Sequence, residues 1–313
     1  MAARDQRPLR GVLFMLLSGL SFVCMTAIVK TVGTEVPAAE ASFLRYAMGL
    51  PFLIPMWGAI RRAKLTPRLW RLFSLRALVH SGAVMLWFFA IARIPLAEVT
   101  AMNYLNPIYV TIGAALIFGE RLALRRILAI AVALVGVYII LRPGFRALDP
   151  GHFAMLAVSV CFAGSYLFTK QLAGEVSPSV IVAMLSLLVP VCLLPFALAD
   201  WVWPSLTELA WFGGTAVFAT AGHYFMTVAF AAAPMTVTQP VTFLQLVWAS
   251  LLGWLAFGEG IDHWVVVGGL LIMGAIGYMT FREQQLKRAA AAAAAAQQVA
   301  EPARTPAPGA TRG

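Results

Sequence analysis

The second half of this chain repeats the first half as a series of long apolar segments. Phe-Gly-Glu closes one of these segments at 118–120 and another at 257–259, an offset of 139 residues. Pro95 has its counterpart at the same offset, in Pro234. Near the start of each half the offset is 140, in the pairs Gly11 and Gly151, Met15 and Met155, Phe22 and Phe162, and Lys30 and Lys170. The chain must therefore fold as two copies of one unit.

The composition excludes an ordinary soluble domain. Of the 313 residues, 61% are hydrophobic and 12% are charged, whereas soluble domains carry about 25% charged residues. The net charge of +10 raises the question of nucleic-acid binding, but the basic residues lie in short breaks between apolar runs and form no basic domain. We therefore predict a protein that crosses a lipid bilayer several times and does not bind nucleic acid.

Ten segments are long and apolar enough to cross a bilayer as helices. They are 11–31, 38–60, 74–92, 96–118, 124–142, 151–171, 177–199, 208–230, 235–257 and 262–281. This pattern predicts an all-α integral membrane protein with an N-terminal tail over 1–10, one repeat over 11–142 and another over 151–281. The tail 282–313 is charged, then alanine-rich, then rich in proline and glycine. We expect a short helical extension that frays into a largely disordered cytoplasmic tail.

Lysine and arginine are concentrated on the cytoplasmic side of membrane proteins. With the N-terminus inside, 18 of the 23 basic residues fall on the cytoplasmic side and 4 on the opposite side. We predict cytoplasmic termini and a multi-pass protein of a bacterial-type inner membrane. Because each repeat has five spans, an odd number, the second repeat is inverted relative to the first. Inverted repeats are typical of secondary transporters, whose substrate site lies near the midplane where the halves meet.

Two polar stripes follow from the repeat. Thr100, Asn103 and Asn106 are spaced by three residues in the fourth span, so they share one broad helical face. Adding 139 gives Gln239, Thr242 and Gln245 in the ninth span. Polar side chains that face lipid are unfavourable, so both stripes should point into the helix bundle. One interpretation is a pair of stripes that line a substrate cavity, and the alternative is hydrogen bonding between helices.

Further candidates come from charge, titration and aromatic surface. Arg45 lies inside a span, where it either attracts an anionic group, gates access, or reaches the interface or a carbonyl. His223 is a candidate for proton coupling, although a lone histidine in a helix is often only hydrogen-bonded. Pro107 removes a backbone donor and can kink its helix toward a cavity. Four aromatic residues lie far enough into spans to stack on a flat or cationic substrate: Trp87, Tyr166, Tyr224 and Trp248.

Family marks lie at matching places in the two halves. The first half has small residues before Pro95, Asn106-Pro107 in mid-helix, Gly119-Glu120 at the end of that span and Gly136 in the next. The second half has three alanines and a proline at 231–234, Gly258-Glu259 at the end of a span and Gly268-Gly269 in the next. Over about 11–281 the chain resembles the drug/metabolite transporter superfamily, specifically the EamA-type carriers. The resemblance implies a carrier for a small organic metabolite or drug. The stretch 243–248 resembles a branch that takes up S-adenosylmethionine or riboflavin.

One departure separates the two halves. Leu246 stands where the first half has Pro107, and the second half instead has Pro240, opposite Ala101. Because a proline kinks a helix near its own position, we expect the fourth and ninth spans to kink at different depths.

The sequence favours a gradient-driven carrier that works by alternating access. It contains no Gly-rich loop followed by Lys-Ser or Lys-Thr, so no nucleotide site is expected. The four histidines lack metal-ligand spacing, so we expect neither an enzyme, a metal site nor a cofactor. The expected partners are a small-molecule substrate and the bilayer. The sequence leaves three questions open. A proton or another ion could be coupled to transport, the protein could be a monomer or a homodimer, and a channel is the alternative function.

Overall fold

The computed structural model describes residues 8–119, 123–173, 175–233 and 235–300, and every named element in these ranges is a helix. The α-helices are α1 (Pro8–Val32), α2 (Ala38–Gly49), α3 (Trp57–Arg62), α4 (Pro67–Ile91), α5 (Leu96–Asn103), α6 (Asn106–Phe118), α7 (Leu124–Leu141), α8 (Pro150–Leu172), α9 (Pro178–Ala199), α10 (Leu206–Ala232), α11 (Met235–Thr242), α12 (Leu244–Phe257) and α13 (His263–Ala300). A 3₁₀ helix, Leu50–Met56, joins α2 to α3.

These elements form ten helical rods, which confirms the predicted helix count. The second rod is α2, the 3₁₀ turn and α3, where Pro51 and Pro55 lie in the 3₁₀ segment. The fourth rod is α5 followed by α6, and the ninth is α11 followed by α12. Within the described residues, seven rods are long and apolar enough to cross a membrane unbroken. Three rods fall outside that group: the eighth, which is α10, and the fourth and ninth, each of which is divided into two short helices.

The packing of the rods shows the inverted repeat. Helix α1, the first of the first repeat, packs on α10, the third rod of the second repeat. The exchanged pair, α8 and α4, packs in the same way. Two further pairs, α2 with α9 and α7 with α13, join equivalent rods of the two halves. These relations are those of a pseudo-two-fold axis, which runs in the membrane plane for an inverted repeat.

Several helix starts are fixed by side-chain caps on polar residues that precede them. The Thr66 hydroxyl accepts the Leu69 amide at 3.3 Å at the start of α4. The Ser205 hydroxyl accepts the Glu208 amide at 3.2 Å, and the Glu208 carboxylate accepts the Ser205 amide in return. Such caps satisfy amides that have no partner inside the helix.

The C-terminal helix is longer than the sequence predicts. Helix α13 continues to Ala300, so 282–300 are helical rather than frayed, and 301–313 lie outside the described residues. Alanine has the highest intrinsic helix propensity, and the segment contains an unbroken alanine run from Ala289 to Ala296. An ion pair of 2.7 Å between Arg126 and Glu283 also ties the start of this extension to α7.

Helices α7 and α13 cross in direct backbone contact. A Cβ added to Gly136 would lie 2.7 Å from the Gly268 carbonyl oxygen and 2.8 Å from Cγ1 of Ile272. Gly268 meets the Gly136 carbonyl in the same way. Small residues at such a crossing let helices pack closely where lipid provides no hydrophobic drive between them.

Replacing Gly136 with alanine should therefore destabilise the protein by about 1–3 kcal/mol, because the new methyl group has no space. Gly274→Ala in α13 is the matched control, since nothing lies within 4 Å of a Cβ at that position. Thermal unfolding of both purified variants in the same detergent measures the difference. Equal midpoints for the two variants would contradict the close contact.

Candidate functional site

The fourth rod is interrupted near its centre. Helix α5 ends at Asn103, and Pro107 has no amide hydrogen to donate to the Asn103 carbonyl. The Leu105 amide turns to the Met102 carbonyl at 3.0 Å, and the Ile108 amide turns to the Leu105 carbonyl at 2.9 Å. Tyr104 and Leu105 keep right-handed helical dihedral angles between the two half-helices, so the rod is divided by a tight 3₁₀-like turn next to Pro107.

The ninth rod is interrupted at the equivalent place. Phe243, between α11 and α12, stands 139 residues after Tyr104, which follows α5. The expectation of different depths is therefore wrong. The Leu246 amide donates to the Phe243 carbonyl at 3.1 Å, and the Tyr104 hydroxyl donates to the Thr242 carbonyl at 3.0 Å. The second break is thus stabilised by a side chain from the first break, not by a proline at the matching position.

The two breaks touch each other directly. The Tyr104 and Phe243 rings meet edge to face, with centroids 5.7 Å apart. Tyr104 and Phe243 are counterparts in the two repeats, so this contact lies where the repeats meet. Discontinuous helices that meet at a repeat interface are the usual position of a transporter's substrate site.

The predicted polar stripes lie at these breaks but differ in their hydrogen bonding. Thr100 is buried, and its hydroxyl donates to the Leu96 carbonyl at 2.8 Å. Asn103 and Asn106 are half-buried, and Oδ1 of Asn106 is buried without a hydrogen-bond partner. An unsatisfied buried oxygen is unfavourable, so Asn106 offers an acceptor for a ligand donor.

In the ninth rod the corresponding positions are Gln239, Thr242 and Gln245. Gln239 lies in α11, and its side chain lies outside the described part of the chain. Thr242 accepts the Tyr104 hydroxyl through its carbonyl. Gln245 is half-buried in α12 and faces α1, where a Cβ at Gly19 would lie 3.9 Å from the Gln245 Cβ.

A second group of polar side chains lies around His80 in the middle of α4. His80 Nε2 is 2.9 Å from the Tyr46 hydroxyl, and Nδ1 is 3.1 Å from Oγ of Ser165. The His80 ring also contacts the Phe162 ring, at 5.1 Å between centroids. We call these four residues the His80 cluster; it joins α2, α4 and α8.

His223 repeats part of this arrangement in the other half. Its ring meets Phe22 edge to face at 5.0 Å, and the neighbouring Gly222 carbonyl accepts the Ser18 hydroxyl at 2.8 Å. Phe22 and Phe162 are repeat counterparts, so the first helix of each half places a phenylalanine against a histidine from the other half. The alignment of the two repeats at a fixed offset does not predict this pairing.

The same two helices connect the histidines with the breaks. On α8, Ser159 lies 3.4 Å from the Met102 carbonyl of α5, one turn before Phe162 at His80. On α1, Gly19 faces Gln245, one turn before Phe22 at His223. Ser159 and Gly19 are again repeat counterparts. The breaks and the histidines therefore lie on adjacent turns of α1 and α8.

Arg45 brings positive charge to the histidines. Its guanidinium lies over the Tyr46 ring, 4.3 Å from the centroid, and acts electrostatically on both His80 and His223. Its Nε is buried without a hydrogen-bond partner. Arg76, one turn before His80, is buried and donates to the Ile181 carbonyl at 2.9 Å.

The predicted aromatic residues are divided among different environments. Trp87 is 8% exposed and packs against Phe88, with ring centroids 5.6 Å apart; it lies in the apolar core. Tyr166 is exposed and lies within electrostatic range of Arg76 and Tyr46, beside the His80 cluster. Tyr224 and Trp248 are also exposed, but no described contact joins either of them to that cluster.

Ion pairs join helix ends on one face of the protein, which we call the Lys30 face. The Lys30 ammonium is 2.5 Å from the Glu259 carboxylate and donates to the Ile94 carbonyl at 2.8 Å. The Glu259 carboxylate also accepts the Leu96 amide at 2.9 Å. Both side chains are mostly buried, and together they hold the end of α1, the start of α5 and the loop after α12.

A second set of ion pairs lies on the same face. Arg146 donates two hydrogen bonds of 2.8 Å to Glu98, and His152 lies 2.6 Å from that carboxylate. Hydrogen bonding to Glu98 raises the pKa of Arg146, so the guanidinium stays charged at any ordinary pH. Arg142 and Asp262 form a further pair. In the described residues no three His, Cys, Asp or Glu side chains form a metal-ligand set.

Comparison with known proteins identifies related carriers. The model of the EamA-like transporter family matches residues 9–142 and again 149–281. A riboflavin transporter from Rhizobium johnstonii is 30% identical over 297 residues, covering 92% of this chain and 96% of the relative. A pseudopaline exporter from Pseudomonas aeruginosa is 27% identical, covering 85% and 94%. An S-adenosylmethionine uptake transporter from Rickettsia prowazekii is 22% identical, covering 88% and 94%.

A solved crystal structure has the same fold. It matches with a TM-score of 0.58 at 19% sequence identity, covering 89% of this chain and 97% of the other chain. The likeness concerns the arrangement of helices alone.

Replacing Tyr104 with phenylalanine should destabilise the break in the ninth rod. The change removes only the hydroxyl that the Thr242 carbonyl accepts, while the ring contact with Phe243 remains. We expect a loss of about 1 kcal/mol in stability, the value of one hydrogen bond. Tyr278→Phe on exposed α13 is the control, because its hydroxyl makes no described hydrogen bond. Unchanged unfolding midpoints for Tyr104→Phe would show that the carbonyl needs no such donor.

Glu259→Gln should lower stability by about 3 kcal/mol, because it leaves the buried Lys30 ammonium without a counter-charge. Glu175→Gln is the control: its partner Arg68 is largely exposed, and an exposed pair contributes at most about 1 kcal/mol. Denaturant unfolding of both variants, and of Lys30→Met combined with Glu259→Gln, gives the comparison. The double variant should regain part of the loss. Equal effects of the two glutamate substitutions would refute the buried pair.

Proposed function

This chain belongs to the EamA-like transporter family, and we propose that it is a secondary active carrier that moves a small organic metabolite or drug by alternating access. The observation that carries the proposal is the pair of broken rods, which meet through Tyr104, Thr242 and Phe243 at the interface of two inverted repeats. Broken helices expose backbone carbonyls and half-helix ends to a ligand near the bilayer centre.

The two repeats, 11–142 and 151–281, act as the moving halves in this proposal. Their helices are exchanged across the pseudo-two-fold axis, since α1 packs on α10 and α8 packs on α4. A rocking motion of one half against the other would open the centre to each side in turn. The distribution of basic residues supports cytoplasmic termini and a bacterial inner membrane.

The ion pairs of the Lys30 face are suited to closing one side of the pathway. Lys30 and Glu259 come from opposite halves and join rods that must separate when that face opens. By the charge distribution this face is the outer one. The pair would form when the outer face is closed and break when it opens, as contacts at a moving interface do.

The substrate contacts that we propose come from two places. At the breaks, Asn103, Asn106 and Gln245 supply hydrogen bonds, with Asn106 Oδ1 already buried and unpaired. Around the two histidines, Arg45, His223 and the His80 cluster supply charge and aromatic surface. Binding sites for small ligands combine apolar surface with a few placed polar groups in this way.

The relatives favour one narrower alternative, a riboflavin- or S-adenosylmethionine-type uptake carrier. It is supported by the 243–248 stretch and by the similarity to carriers of those two compounds. The relatives also include an exporter, so transport in either direction is compatible with this fold.

Counterflow in proteoliposomes tests the proposal. A thermal-shift screen of a metabolite library, including riboflavin and S-adenosylmethionine, identifies a binder, and vesicles loaded with that compound should accelerate entry of its labelled form. Asn106→Ala and Gln245→Ala should each lower the exchange rate constant about tenfold, the equivalent of about 1.4 kcal/mol. Gln285→Ala, exposed on α13 beyond the tenth span, is the control.

The results separate a carrier from the other candidates. A channel would show uptake that neither saturates nor exchanges. Full exchange in both the Asn106 and the Gln245 variants, at matched reconstitution, would remove the breaks from the substrate site.

A further inference from the structure

We propose that the substrate is an organic anion with a planar ring, and that Arg45 binds its anionic group. The inference rests on the proposed carrier function and specifies its site. It begins from the distribution of charge in the described residues, where basic and acidic side chains occupy different depths.

The acidic side chains stay at the ends of helices. In the described ranges every Asp and Glu lies in a loop or cap, in the first turn of a helix, or beyond the tenth span; they are Glu35, Glu40, Glu98, Asp149, Glu175, Asp200, Glu208, Glu259, Asp262 and Glu283. Arg45 and Arg76 lie deeper in their helices. Arg45 and Arg76 therefore carry positive charge within α2 and α4 that no described carboxylate pairs with.

Both arginines have a buried Nε without a hydrogen-bond partner, but only Arg45 of the two makes no described hydrogen bond at all. Arg76 is 7% exposed and donates to the Ile181 carbonyl. The Arg45 guanidinium makes no described hydrogen bond, its Nε is buried, and its described contact is the face of Tyr46. A guanidinium offers five donors in a planar fork that fits a carboxylate or phosphate. An unpaired charge at this depth is unfavourable, so an anion that binds there removes a cost.

The neighbours of Arg45 indicate a planar group beside the anion. Tyr46 lies under the guanidinium, and the Tyr46 hydroxyl contacts His80, whose ring packs against the Phe162 ring of α8. Both ring nitrogens of His80 are engaged by Tyr46 and Ser165, which fixes these side chains in position. Rigid aromatic surfaces of this kind stack on flat ligands. A sulfonium such as S-adenosylmethionine would be repelled by both arginines, and riboflavin is neutral, so the proposed anion is a substrate other than the two compounds of the narrower alternative.

Matched pairs of ligands that differ only in charge test the proposal. The probes are flavin mononucleotide and riboflavin, AMP and adenosine, and indole-3-acetate and indole-3-acetamide, titrated calorimetrically into the purified protein. In at least one pair the anion should bind about 30-fold more tightly than the neutral form, as expected for a charge-assisted pair. In Arg45→Gln that preference should fall to about threefold or less.

Two further variants control this experiment. Arg45→Lys keeps the charge but loses the planar fork, so the preference should be reduced but not abolished. Arg93→Gln, at the end of α4 where the guanidinium stacks on Phe89 at 3.7 Å, should retain the full preference. If Arg45→Gln does not fold, Arg45→Lys decides: an undiminished preference in this variant contradicts bidentate binding by Arg45.

Other outcomes would overturn the inference. One is that the anion binds no more tightly than its neutral form in any of the three pairs. The other is that the preference for the anion is unchanged in Arg45→Gln. Counterflow with the same compounds distinguishes this failure from failure of the carrier proposal. Exchange of a neutral compound without anion preference leaves the carrier and removes the anion. Tight binding of an anion that is never exchanged supports the anion site and contradicts the carrier function.

Discussion

A backbone carbonyl that leaves its helical hydrogen bond within a membrane needs another donor, because lipid supplies none. The centre of this protein is organised around two such carbonyls, at the equivalent residues Asn103 and Thr242. The first is released because residue 107 is proline. The second is held by the Tyr104 hydroxyl, which comes from the first break. A contact between the two halves therefore stabilises the break in the ninth rod.

This dependence explains what the sequence could predict of the fold and what it could not. The ten rods and their inversion follow from apolar length and from an odd number of spans. The first break follows from Pro107. The second break does not, because the nearest proline, Pro240, remains inside α11. A tertiary contact from Tyr104 fixes its position, and such a contact has no local signal.

The sequence likewise predicts one part of the candidate site and not another. Arg45 is recognisable from sequence because charge inside a span is rare. The pairing of His80 and His223 with Phe162 and Phe22 is not recognisable, since the histidines stand 143 residues apart and the phenylalanines 140. A repeat comparison at one fixed offset separates the two histidines by about one helical turn. Only the packing of α4 on α8, and of α10 on α1, brings each histidine to its phenylalanine.

In the proposed carrier, the charges at the Lys30 face would change partners during transport, whereas the charge of Arg45 would stay available to a ligand. At the Lys30 face, Glu259 and Glu98 neutralise basic residues and join rods from both halves, so these pairs stabilise one arrangement of the halves. A resident carboxylate beside Arg45 would compete with the proposed anionic ligand for the same donors. The described chain places none there. An empty site then retains an unfavourable charge, and the free energy released when a ligand neutralises it can favour one arrangement of the halves over the other.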